Sequence, residues 1–63
     1  MKTVRITTTM VYEFEVSDDT QVSYEAGHSL MTNSEPVKSY QEGLIVFEDD
    51  QDQVVGNNAD FGL

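Results

Sequence analysis

From Thr3 to Val16 the chain alternates between apolar and polar residues. The even positions Val4, Ile6, Thr8, Met10, Tyr12, Phe14 and Val16 are apolar except for Thr8. The odd positions Thr3, Arg5, Thr7, Thr9, Val11, Glu13 and Glu15 are polar except for Val11. A period of two in β-branched and aromatic residues predicts a strand with one face on a core and the other in water. Thr7-Thr8-Thr9 lacks the Gly, Asn, Asp or Pro of a tight turn, so the pattern predicts one long strand with no hairpin in it. At ~3.4 Å per residue that strand would reach ~45 Å. A domain of this size does not need such a length, so the strand must bend or pair in part with another chain.

Ser17-Asp18-Asp19 stops the alternation. Asp18 followed by Gln21 has the spacing of a helix cap. Val22, Ala26 and Leu30 then recur at helical spacing, with Tyr24, His28 and Met31 on an adjoining stripe. A helix is expected over residues 20–32. Gly27 opposes it by about 1 kcal/mol relative to Ala, and a second strand carrying Val22, Tyr24 and Ala26 is the rival. Asn33-Ser34-Glu35-Pro36 reads as a loop, since Pro36 ends any helix before it.

Gly43 opens the unbroken apolar run Leu44-Ile45-Val46-Phe47, which suits a strand covered on both faces. A turn over residues 48–53 and a short strand at Val54-Val55 complete the pattern. The expected fold is a single α+β domain over residues 1–63. Its order is β-α-β-β, with a long first strand, a short sheet and one helix packed on one face.

Charge changes the picture more than composition does. The 63 residues hold 12 Asp and Glu against 3 Lys and Arg, a net charge of -9. Residues 1–16 balance Lys2 and Arg5 against Glu13 and Glu15, so the excess falls on the remainder. Such a chain repels nucleic acid and anionic lipid and is drawn to basic protein surfaces. The absence of Cys removes thiol chemistry and Cys-based zinc sites, and it fits a reducing cytoplasm. No apolar stretch follows Met1-Lys2-Thr3-Val4-Arg5, so no signal peptide is expected. No apolar run approaches the ~20 residues of a membrane helix.

Candidate chemistry is sparse. Glu48, Asp49, Asp50 and Asp52 are the densest acidic cluster. A calcium loop counted from Asp50 fails, because Val54 and Val55 fall where a ligand and the obligatory Gly should be. Glu13 and Glu15 lie on the predicted wet face about 6.8 Å apart, with nothing to split their titration as acid–base catalysis requires. His28 is the only histidine and is read as a helix-surface residue, since no serine sits in a nucleophile-elbow context. The expectation is therefore a non-enzymatic module without cofactor or metal.

Two functional readings follow. In the first, Glu13, Glu15, Glu48, Asp49, Asp50 and Asp52 bind a basic protein surface, as an inhibitor mimicking nucleic acid in a groove built for phosphates would do. In the second, the long strand and the tail residues Phe61 and Leu63 form a homo-oligomer, a homodimer in the simplest case. The acids then serve only solubility.

Overall fold

The computed structural model describes residues 1–34 and 43–63. Its elements are β1 (Lys2–Thr7), β2 (Val11–Val16), α1 (Tyr24–Asn33), β3 (Leu44–Glu48) and β4 (Gln53–Asn57). They build an antiparallel four-stranded sheet in the order β2-β1-β3-β4. The domain is α+β, with one helix among the described residues, as the pattern predicts. The loop expected after Asn33 falls, from Glu35 onward, outside the described residues.

The expected long first strand is a hairpin instead. Residues 8–10 turn the chain, and Thr7 pairs with Val11, Arg5 with Glu13 and Lys2 with Val16. The turn closes through the Thr8 amide donating to the Met10 carbonyl at 2.8 Å. The Met10 amide in turn reaches the Thr8 hydroxyl at 3.4 Å. A threonine hydroxyl thus takes the part usually played by Asn or Asp. The strand order becomes β-β-α-β-β.

β2 and β3 both run antiparallel to β1, on either side of it, so their connection must cross one face of β1. α1 lies in that connection and covers Val4 and Ile6. Val4, Ile6, Met31, Ile45 and Phe47 are fully buried, and Phe61 is 1% exposed. Tyr12, Phe14, Val16, Val22, Ala26, Leu30 and Val54 pack around this centre half-buried.

The helix begins later than the Asp18 spacing suggests. Its cap is Ser23, in extended conformation, whose hydroxyl accepts from the Ala26 amide at 3.2 Å. Ser17 and Thr20 close a separate turn before it through the Thr20 amide and the Ser17 carbonyl at 3.0 Å. Asp18 meets the N-terminal ammonium at 3.2 Å instead.

Gly27 marks where helix and sheet meet. A Cβ there would lie 2.6 Å from Phe61 Cε1 and 3.2 Å from Phe47 Cδ2. The residue that weakens the helix pattern therefore permits its closest packing.

Phe61, expected at an oligomer interface, is in the core of its own chain. The tail folds back because Asn57 and Asp60 bond reciprocally. The Asn57 amide donates to Asp60 Oδ2 at 3.0 Å and the Asp60 amide to Asn57 Oδ1 at 3.0 Å. The Phe61 amide then donates to the Asn57 carbonyl at 3.3 Å. Tyr24 packs edge-on against the Phe61 ring with centroids 4.9 Å apart. Leu63 remains 40% exposed.

Candidate functional site: the open face of the sheet

Alternation fixes what the other face of the sheet presents. Opposite the buried residues lie Thr3, Arg5 and Thr7 of β1 and Val11, Glu13 and Glu15 of β2. Leu44, Val46 and Glu48 of β3 and Gln53, Val55 and Asn57 of β4 complete the face. α1 is on the far side. Among the described residues, β3 is therefore covered on its Ile45 and Phe47 face alone. Leu44 is 65% exposed and Val46 half-buried, in place of the expected coverage on both faces.

The cross-strand registers sort this face into two halves. One transverse row runs Val11, Thr7, Val46, Val55 across all four strands. With Leu44 it makes an apolar half on which Val11 and Val55 are also exposed. The adjacent row runs Glu13, Arg5, Glu48, Gln53. Beyond it the β3–β4 turn brings Asp49 and Asp50 to a shallow depression of about 410 Å³, lined also by Thr3, Arg5, Glu13 and Glu48.

The fold thus gathers Glu13, Glu48, Asp49 and Asp50 at one end of one face, with Glu15 paired to Thr3 beside them. Asp52 sits in the same turn. Asp19, Glu25 and Asp60 lie elsewhere.

The acids differ in what they are free to do. Arg5 sits between two of them, with Nη1 3.1 Å from Glu48 Oε1 and Nη2 3.4 Å from Glu13 Oε2. Exposed pairs of this kind contribute ~0–1 kcal/mol, so both carboxylates can exchange Arg5 for another cation.

Asp49 is different from the exposed acids around it. Its Oδ2 lies 2.8 Å from Lys2 Nζ and its side chain is only 8% exposed. Its Oδ1 accepts from the amides of Gln51 and Asp52, both at 2.7 Å. The Lys2 ammonium, then the Asp52 and Gln51 amides, hold its pKa down at about 2 against an ordinary 3.8. Asp49 therefore builds the turn, and Asp50 and Asp52 project from it.

His28 lies away from this face. Its Nδ1 is 2.9 Å from the Phe61 carbonyl, beside a depression of about 360 Å³ lined by Tyr24, Glu25, Asp60 and Gly62. Gly62 adopts φ 77° there, a left-handed conformation that favours glycine, and a Cβ on it would lie 3.4 Å from His28 Nδ1. The ring thus fastens the tail to the helix. Among the described residues, no three metal-ligating side chains converge, and no helix is long and apolar enough to cross a membrane.

The two halves of the open face were only partly visible in the sequence. The odd positions of residues 3–16 and the acidic turn mark its edges. That they meet depends on β1 pairing with both β2 and β3. No protein-family model matches the chain, and comparison with characterised proteins and with solved structures gives no match either.

Proposed function

We propose that the chain is a protein-binding module whose open sheet face docks on a basic protein surface. The observation that carries this reading is the grouping of Glu13, Glu15, Glu48 and Asp50 at one end of a face whose other end exposes Val11, Leu44 and Val55. Apolar surface left open beside charge is how interaction faces differ from ordinary solvated surface. Carboxylates at its rim select a cationic partner and speed the encounter. A groove built for nucleic acid is the target that the net charge favours, and occupying it would make the chain an inhibitor.

The test is binding to a lysine- and arginine-rich peptide interspersed with leucine. Glu15→Gln, Asp50→Asn and Asp52→Asn together should weaken binding at least tenfold. Asp19→Asn with Glu25→Gln, off the face, should leave it unchanged. Equal losses from both sets would mean that net charge alone attracts the peptide.

A second reading, a homo-oligomer, is favoured by the same exposed Val11, Leu44 and Val55. In that reading the interface is the open face. Its test is the mass in solution.

A further inference from the structure

The two edges of the sheet are finished differently. In an antiparallel ladder, residues whose amide and carbonyl point to one neighbour alternate with residues that point to the other side. On β4 the outward set is Gln53, Val55 and Asn57, and the chain itself reaches the Val55 carbonyl and both backbone groups of Asn57. The Tyr24 hydroxyl donates to the Val55 carbonyl at 2.8 Å. Asp60 accepts the Asn57 amide, and the Asn57 carbonyl accepts from Phe61. That edge is capped over its Val55–Asn57 half by the chain's own groups.

β2 is the other edge. Counting from the Thr8–Met10 bond that closes the hairpin, the backbone groups of Val11, Glu13 and Glu15 point away from β1. Among the described residues no hydrogen bond reaches them across this edge. The core is also unfinished on this side. Val4 and Ile6 on β1 are fully buried, while Tyr12, Phe14 and Val16 on β2 are half-buried. One more strand would pair the backbone and complete their burial.

A second copy of β2 does not fit. An antiparallel match must keep core-facing residues together. The two registers that then pair most of the strand put Glu13 opposite Glu13, or Glu13 opposite Glu15. Like charges directly opposite destabilise a strand pair.

We infer that the β2 edge takes an extended, alternately basic and apolar segment of a partner protein as a fifth, antiparallel strand. Lys or Arg side chains lie opposite Glu13 and Glu15, and apolar side chains lie beside Tyr12, Phe14 and Val16. The backbone ladder supplies affinity and the alternation supplies selectivity, as in other strand additions to open edges. The inference rests on the proposed binding role and names the form of its partner.

The test uses a capped peptide of alternating lysine and valine, titrated into the whole protein at low salt. In the antiparallel pairing the lysine residues, opposite Glu13 and Glu15, carry the amides that bond to β2, and the valine amides face water. N-methylation of the lysine amides should weaken binding tenfold or more, and N-methylation of the valine amides should leave it within about twofold. Equal binding by all three peptides would overturn the strand addition while leaving a charge-driven docking face intact. No binding by any of them would overturn both.

Discussion

Lys2 and Asp49 meet 2.8 Å apart across 47 positions of sequence. The pair ties the first residue of β1 to the turn that follows β3, and so fixes the acidic end of the open face. Its ammonium is the main reason why Asp49 titrates at about 2 instead of 3.8. A carboxylate with a depressed pKa adds stability that is fully present above its unfolded value. That contribution fades as pH falls from about 3.8 toward about 2. Acid unfolding followed by circular dichroism should therefore show a limb in this window. Asp49→Asn should lower stability at neutral pH and flatten the limb. An unchanged limb in the variant would assign the acid sensitivity to other carboxylates.

Gly27 lets α1 pack against Phe61 of the tail and Phe47 of β3. Gly27→Ala should gain about 1 kcal/mol in helix propensity. It must also displace the Phe61 ring from a Cβ that would sit 2.6 Å away, and overpacking of a filled core costs about 1–3 kcal/mol. The variant should be less stable than the parent in urea unfolding. A gain in stability would mean that the ring moves aside freely.

Phe61→Ala should remove about 3–5 kcal/mol, comparable with all that a core of this size supplies. The variant should be largely unfolded at room temperature by near-ultraviolet circular dichroism. Leu63→Ala, at an exposed position, should change stability by at most about 0.5 kcal/mol. A folded Phe61→Ala variant of altered mass would return Phe61 to an interface between chains.

The solution mass should be that of a monomer in both ~0.1 M and ~1 M salt, which screens charge beyond about 3 Å. The glutamates of β2 oppose pairing of two edges, and Phe61 is spent inside the chain. A dimer appearing at high salt alone would show that glutamate repulsion was restraining self-association of β2. A dimer at both salts would favour the apolar half of the face as a subunit interface.

The sequence revealed the α+β class, the sheet residues and the helix, because each rests on local periodicity. It concealed the first hairpin for a geometric reason. Three residues separate Thr7 from Val11, and an odd interval keeps even positions on the core face on both sides of the turn. The alternation therefore runs through residues 8–10 without a break.

The burial of Phe61 and the packing role of Gly27 depend on a contact between distant segments, the tail and the helix, that no local pattern encodes. Asp49 looked like its neighbours Asp50 and Asp52 for the same reason. Only the fold brings Lys2 to it. The acidic turn and the glutamates of β2 were legible as candidates, whereas their meeting beside an apolar row was not.

The proposed function requires the open face, and not net charge spread over the surface, to engage a basic partner. Amide chemical-shift mapping with the lysine- and arginine-rich peptide, at about 0.05 M and 0.5 M salt, tests it most directly. Shifts are expected at Val11, Glu13, Glu15, Leu44, Asp50, Asp52 and Val55, with an affinity that falls at least tenfold at the higher salt. Shifts of equal size at Asp19, Glu25 and Asp60, or an affinity indifferent to salt, would contradict it.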